Sequence, residues 1–419
     1  MTTRTPLLRF ATAGSVDDGK STLIGRLLHD SRSVLADQLE AVERVSADRG
    51  HDTPDLALLT DGLRAEREQG ITIDVAYRSF ATARRRFILA DTPGHVQYTR
   101  NMVTGASTAD LAVVLVDVRR GVTEQTRRHT AVAALLRVPH LVLAVNKMDL
   151  VGYDEATFTR IAQEFTAYAT ALGLHDITAL PLSALAGDNV VEPSAHMGWY
   201  HGPTLLDHLE TVPLPDGLTT GPARFPVQYV IRPRTPEHPD YRGYAGRITS
   251  GVLRVGDPVT VLPSGRTTVI QGIDALGEPV GVAWAPQSVT LRLRDDVDVS
   301  RGDLIAPATA APAPTRDITA TVCHLHESPL RTGDTVLLKH TTRTVRARVE
   351  KVAYRLDINT LHQHPAPDGL NANDIGRVVL RTAEPLAVDA YADQRGTGSF
   401  LLIDPAEGTT LTAAMAGRP

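Results

Sequence analysis

Lysine is nearly missing from this chain. The 419 residues include 43 lysines and arginines, of which only Lys20, Lys147, Lys339 and Lys351 are lysine. Arginine supplies the rest, as a codon bias would dictate wherever a plain positive charge suffices. A lysine that persists under such a bias marks a place where a compact ammonium is needed and a planar guanidinium does not fit. Cysteine is scarcer still: Cys323 stands alone, which excludes an intrachain disulfide framework and suits a reducing compartment. Burial as a small hydrophobe, not nucleophilic chemistry, is the expectation for it. Long apolar runs are also lacking. "LAVVLV" at 111–116 is strand-sized, far short of the roughly 20 residues that span a bilayer, and "MTTRTPLLRF" has no apolar core of a secretion signal. No membrane contact and a cytoplasmic location are therefore expected. The net charge of −5 gives no general reason to bind nucleic acid. What remains, 42% hydrophobic and 22% charged, is the composition of a folded protein of several domains.

The first half alternates strand and helix signals. "LLRFATAG" (7–14), "FILADTPG" (87–94), "LAVVLVDV" (111–118) and "HLVLAVNK" (140–147) are apolar runs ending in polar loops, the pattern of parallel strands covered on both faces. Between them, 21–30 reads as a helix, and 154–172 carries Phe158, Ile161, Phe165, Tyr168 and Leu172 on one stripe. A doubly wound α/β domain over residues 1–215 follows. After the Pro/Gly-rich "TVPLPDGLTTGPARFP" the helical period disappears. Short strands separated by Gly, Pro and Asp turns predict a β-barrel at 222–308, and after the linker "ATAAPAPT" a second at 316–419. The fold class is thus multidomain, α/β followed by all-β.

Gly14-Ser15-Val16-Asp17-Asp18-Gly19-Lys20-Ser21 matches the P-loop pattern between a strand and a helix. Its glycines let backbone N–H groups surround phosphates, and the helix that opens at Ser21 and Thr22 adds its positive end. Lys20 is placed to bridge β- and γ-phosphates, and the Ser21 hydroxyl to bind Mg²⁺. "Asn146-Lys147-Met148-Asp149" ends another strand. A carboxylate there accepts from guanine N1–H and its 2-amino group, whereas adenine would leave it unpaired, so Asp149 selects GTP over ATP. Asn146 and Lys147 brace that loop and flank the base, and Ser183-Ala184-Leu185 is positioned to close over it. "Asp91-Thr92-Pro93-Gly94-His95" follows the strand "FILA". Asp91 reaches Mg²⁺ through water, Gly94 can present its N–H to a γ-phosphate, and His95 can orient the attacking water. Thr72, in "GITI", is the candidate Mg²⁺ ligand that engages only with a triphosphate.

Other conspicuous features read as structural. Arg84-Arg85-Arg86 suits a solvated hairpin or sheet edge. The "HLHE" of 324–327 lacks a partner set for zinc. Trp199 and Tyr200 read as packing residues.

Taken together, "GSVDDGKST", "EREQGITI", "DTPGH…YTRNM", "NKMDL" and "SAL", with two barrels after them, resemble the translation-factor class of P-loop GTPases. Within it, "LRFATAGSVDDGKSTLIGRLLHDSR", "DGLRAEREQGITIDVAYRSF", "ADTPGHVQYTRNMVTGAST" and "GWYHGPTLLDHLE" resemble the GTPase (large) subunit of bacterial sulfate adenylyltransferase. Factors that deliver aminoacyl-tRNA typically carry His where this chain has Ser15. The resemblance implies a separate catalytic (small) subunit that joins ATP and sulfate into adenosine 5′-phosphosulfate and pyrophosphate. This chain would couple GTP hydrolysis to that uphill step, in a heterodimer or a higher assembly. It implies no nucleic-acid partner. Val96 departs from the family, which usually has Glu there. A tRNA- or ribosome-directed factor, a non-hydrolysing GTP scaffold and a paralogue serving secondary-metabolite sulfation are the alternatives.

Overall fold

The computed structural model describes residues 6–34, 36–48, 54–59, 75–95, 99–214, 217–233, 235–236, 241–365 and 369–418. It divides into two compact units, one of residues 1–214 with 358–361 and one of 215–357 with 362–419.

The first unit is built on β1 (Leu7–Ala13), β2 (Ala76–Ala81), β3 (Arg86–Asp91), β4 (Leu111–Asp117), β5 (His140–Asn146) and β6 (Ile177–Pro181). They form one sheet in the order β2-β3-β1-β4-β5-β6. Only β2, the partner of β3 in a hairpin, runs antiparallel. All seven residues of both β4 and β5 are buried. This explains their unbroken apolar runs: strands in the middle of such a sheet have no solvent face to mark with polar residues. The helices are α1 (Lys20–Asp30), α2 (Ala36–Asp48), α3 (Thr99–Ala106), α4 (Glu124–Leu135), α5 (Glu155–Ala171) and α6 (Leu205–Thr211). Asp154 caps α5 by accepting from the Thr157 N–H at 2.8 Å, and Phe158, Ile161, Phe165 and Tyr168 form its buried stripe. Leu172, the last residue of the predicted stripe, is the half-buried C-cap.

One expectation is corrected here. The hairpin at Arg84-Arg85-Arg86 exists, but Arg85 is not solvated. It is 7% exposed, and its Nη1 donates to the carbonyls of Leu209 and Val212, both at 2.8 Å. These are carbonyls at the end of α6, which no intrahelical N–H can satisfy. A guanidinium also suits that negative helix end.

In the second unit, β7 (Phe225–Ile231), β8 (Gly243–Arg247), β10 (Pro258–Leu262), β11 (Arg266–Ala275), β14 (Ser288–Leu293) and β15 (Leu304–Pro307) close through the β10–β11 pairing into a six-stranded barrel. β9 (Val252–Arg254) and β13 (Val282–Trp284) form a side ribbon, and β12 (Glu278–Val280) extends β11. The second barrel comprises β16 (Thr315–His324), β17 (Thr335–His340), β18 (Arg343–Leu356), β20 (Ile375–Leu386), β21 (Ser399–Ile403) and β22 (Thr410–Ala416), closed by β17–β18; the two-residue β19 (Gln363–His364) adds to the end of β18. Burial alternates here: Val345, Ala347 and Val349 point inward, then the register shifts between Val349 and Lys351 before Val352 resumes the inner face. One extra residue in a bulge keeps both stretches facing the core.

Polar residues hold the two barrels in their shared unit. Arg224 forms a bidentate pair with Asp389 at 2.8 and 2.9 Å, and both are largely buried. His324 of "HLHE" is buried, with Nδ1 at 2.8 Å from Thr412 Oγ1 and Nε2 donating to the Ser328 carbonyl at 2.8 Å. Cys323 is buried beside it.

Candidate guanine-nucleotide site

Parallel register brings the carboxyl ends of β1, β3, β4, β5 and β6 to the same edge of the sheet, where such folds place ligands. The P-loop leaves β1, Asp91 ends β3, Asp117 ends β4, Asn146 ends β5 and Ser183 follows β6.

The loop 14–21 turns through residues with positive φ, at 155° for Gly14, 67° for Asp17 and 92° for Gly19. Gly19 is required for a second reason: a Cβ there would lie 2.5 Å from Asn146 Nδ2. Lys20, the first residue of α1, is buried and donates to the carbonyls of Gly14 at 2.9 Å and Ser15 at 2.8 Å. Burial pulls its pKa down, against the opposing pull of Asp91, Asp18 and Asp17. Asp18 is buried as well and accepts from the Ser15 N–H at 2.6 Å. Burial raises its pKa. Val16 and Asp17 form the outer part of the turn, while Ser21 and Thr22 are half-buried in the first turn of α1.

Asp91 is buried and accepts from Thr12 Oγ1 at 3.2 Å, and the Thr92 hydroxyl donates to the Thr12 carbonyl at 2.5 Å. Pro93 and Gly94 are buried, and His95 is exposed. A Cβ on Gly94 would collide with Lys20 Nζ and lie 2.7 Å from the Gly14 carbonyl. The end of the β3 loop therefore abuts the P-loop so closely that only glycine fits. Thr72 and Val96 lie outside the described residues.

The loop Asn146 to Asp149 is tied to the P-loop by its first two members. Asn146 Nδ2 donates to the Asp18 carbonyl at 2.8 Å, while its Oδ1 accepts from the N–H groups of Lys147 and Ala184 at 2.8 and 2.9 Å. Lys147, at φ 65°, donates through Nζ to the Asp17 carbonyl at 2.5 Å and pairs with Asp117 at 3.0 Å. Burial pushes the Asp117 carboxyl up, but hydrogen bonds from the Arg119 side chain and backbone and from Lys147 outweigh it and hold the group well below the carboxylate range.

Asp149 differs from all of these. Its Oδ1 is buried and has no hydrogen-bond partner. An orphaned buried acceptor costs about 1–3 kcal/mol, a cost that a donor brought by a ligand at this loop would remove. Ser183 Oγ accepts from the Ala186 N–H at 3.2 Å, and Arg26 donates to the carbonyls of Ala184 at 3.2 Å and Leu185 at 2.5 Å. Leu185 is exposed. Trp199 and Tyr200 pack against Phe158, with ring centroids 5.4 and 6.3 Å apart, and the Trp199 indole donates to the Tyr153 carbonyl at 3.0 Å.

A stretch behind the P-loop, unmarked by any motif, also holds it. Arg120 Nη1 donates to the Val16 carbonyl at 3.0 Å, Thr123 Oγ1 lies 3.1 Å from Ser15 Oγ, and His129 Nδ1 accepts from the Gly14 N–H at 3.1 Å. The available signal was a histidine on the face of α4 that carries Gln125 and Val132, without any local motif.

The Elongation factor Tu GTP binding domain model matches residues 5–214, and the GTP-eEF1A C-terminal domain-like model matches 317–416. Fold and sequence together define a GTPase of the elongation-factor class. Subunit 1 of sulfate adenylyltransferase from Sodalis glossinidius is 52% identical over 99% of this chain and 86% of its own length. That from Bacteroides fragilis is 49% identical over 98% of this chain and 85% of its own length. The bifunctional enzyme CysN/CysC of Mycobacterium tuberculosis is 58% identical over 98% of this chain and 67% of its own length. The chain belongs to the sulfate adenylyltransferase subunit 1 family. Among the described residues, no helix is long and apolar enough to cross a membrane.

Proposed function

We propose that this protein binds and hydrolyses GTP in order to drive formation of adenosine 5′-phosphosulfate from ATP and sulfate on a separate catalytic subunit. The observation that carries the nucleotide assignment is the buried, unpartnered Oδ1 of Asp149, in a loop whose Asn146 and Lys147 are bonded to the P-loop backbone. Guanine offers that carboxylate two donors and adenine offers none at the same edge. The sulfate assignment rests on the family.

In this reading Gly14 to Thr22 wrap the phosphates, with Lys20 exchanging the Gly14 and Ser15 carbonyls for phosphate oxygens. The switch is the loop Asp91 to His95: Gly94 donates its N–H to the γ-phosphate, and His95 orients the attacking water. Ser21, Asp91 and Thr72 supply the hard oxygen donors that suit Mg²⁺, which would neutralise developing charge on the phosphates. Asn146, Lys147, Asp149 and Ser183 to Leu185 hold the base. Loss of the γ-phosphate frees the switch loop, and the two positions bias the partner subunit. The partnership is a heterodimer or a larger assembly, in the cytoplasm.

The test is reconstitution with a catalytic subunit, ATP, sulfate and either GTP or GDP. Adenosine 5′-phosphosulfate should accumulate further with GTP. Equal yields with the two nucleotides overturn the coupling.

A further inference from the structure

The P-loop is held from its outer side by the segment that follows β4, and one contact there stands apart. His129 is fully buried in α4, 115 residues along the chain from its partner, with Nδ1 3.1 Å from the Gly14 nitrogen. On the other side of the ring, Nε2 lies 2.8 Å from the Gln125 side-chain amide. Burial, aided by the nearby cations Lys20 and Arg128, depresses the ring's pKa to about 3. The ring is therefore neutral at any working pH. A neutral imidazole that accepts at Nδ1 carries its proton on Nε2. The Gln125 amide must then present its oxygen to that proton, which also gives a partner to Gln125 Oε1, a buried atom otherwise without one.

We infer that His129 is a positioning residue for the nucleotide: its bare Nδ1 pins the Gly14 peptide from behind, so that the P-loop amides face the phosphates before any ligand arrives. The inference rests on the guanine-nucleotide reading above. Gly14 is gripped on both sides, its N–H by His129 and its carbonyl by Lys20 at 2.9 Å. The Lys20 contact is the one that a phosphate would replace. The His129 contact faces away from it and can persist throughout binding. Without the acceptor, Gly14 has a buried unpaired N–H, and its peptide is free to turn. Binding energy is then drawn on to reorder the loop, because preorganisation is lost. Gly14 has no side chain to resist such a turn, and a Cβ there would meet the Leu115 carbonyl at 3.0 Å.

Three substitutions separate this role from simple core filling. His129→Asn keeps an acceptor near the Nδ1 position, His129→Gln keeps a polar atom only on the Nε2 side, and His129→Leu keeps neither. Titration of GDP into the full-length chain should show a loss of affinity of about tenfold to a hundredfold for Leu and Gln, the scale of one unsatisfied buried donor. Asn should stay within about threefold of the wild type. The loss for Leu and Gln should fall more on KM for GTP than on turnover at saturation, since an anchor made before the ligand arrives acts first on binding, and a loss confined to turnover with KM unchanged overturns the inference. Asn binding as weakly as Leu, or all three binding like the wild type, overturns the inference. Nitrogen chemical shifts of the wild-type ring provide a second test that needs no variant. A proton on Nε2 with Nδ1 bare between pH 5 and 8 supports the anchor, and a proton on Nδ1 refutes it whether or not nucleotide binds. Failure of the wild type to bind GDP at all defeats the nucleotide reading instead.

Discussion

The two ends of the candidate site are built on opposite plans. At the phosphate end the buried groups of the loop already have internal partners: Lys20 bonds two loop carbonyls, Asp18 takes the Ser15 N–H, and Gly14 is held by His129. At the base end the framework residues Asn146 and Lys147 are fully engaged, yet Asp149 Oδ1 is left bare. A ligand at the phosphate end exchanges bonds, so its affinity depends on how well the loop is preorganised. At the base end it supplies a bond that the protein lacks. On the proposed reading, discrimination belongs to the base end, where a wrong ligand leaves a buried group unpaired.

Reversing the hydrogen-bonding sense of the bare acceptor should have the largest effect. Asp149→Asn replaces an acceptor with a donor, which suits a base carrying an oxygen at position 2. The ratio of GTP to xanthosine triphosphate affinity should shift by about 10⁴-fold or more, on the scale of sites built around a specific hydrogen bond. Competition binding against labelled GDP measures it, and an unchanged ratio would mean that the base lies elsewhere. Next comes His95→Ala, in the proposed switch loop. Turnover should fall by about 10²-fold or more with nucleotide affinity intact, the usual scale for a water-positioning group. Weakened GTP binding at undiminished turnover would contradict the role given to His95.

The join between the ends is the next target. Gly19→Ala forces a left-handed φ on alanine and drives its Cβ to 2.5 Å from Asn146 Nδ2. A destabilisation of about 1–3 kcal/mol is expected from the strain, seen as a lower melting temperature together with weaker binding of GTP and GDP alike. A drop in GTP affinity alone would place the strain in the switch loop instead. The last prediction concerns pH. The His129 pKa is about 3 in the fold because of burial, Lys20 and Arg128, and about 6.5 when unfolded. Between those values the unfolded chain binds a proton that the native one does not, so stability falls as pH drops from 6.5 towards 3, by about 1 kcal/mol per pH unit. Denaturant titrations of wild type and His129→Asn between pH 7 and 4.5 should therefore converge at the acid end. Parallel curves would show that the ring is not the titrating group.

The fold was legible wherever burial imposes a short period. β4 and β5 read as strands because seven successive residues are buried in each, and α5 because its apolar stripe repeats at the helical spacing. The placement of Gly14 to Ser21, Asp91 and Asn146 at strand ends was legible for a related reason, since an apolar run that stops at a loop marks the edge where parallel sheets open. Contacts made across the fold left no such mark. Arg85 looked like a surface charge because its two carbonyl partners lie 124 and 127 residues away. His129 carried no signal of its contact, because its partner Gly14 is 115 residues distant. In both cases one polar side chain is fixed by backbone groups, and backbone groups have no sequence signature.

Trp199 gives the base end an optical voice. The chain has two tryptophans. Trp284, 45% exposed on β13, belongs to the other compact unit. Trp199 instead hangs from the Tyr153 carbonyl, and the Tyr153 N–H in turn bonds the carbonyl of Met148, the residue next to Asp149. A ligand that tightened that turn would change the surroundings of this indole, so the proposed occupation of the loop by guanine would be expected to change the emission of the unlabelled protein.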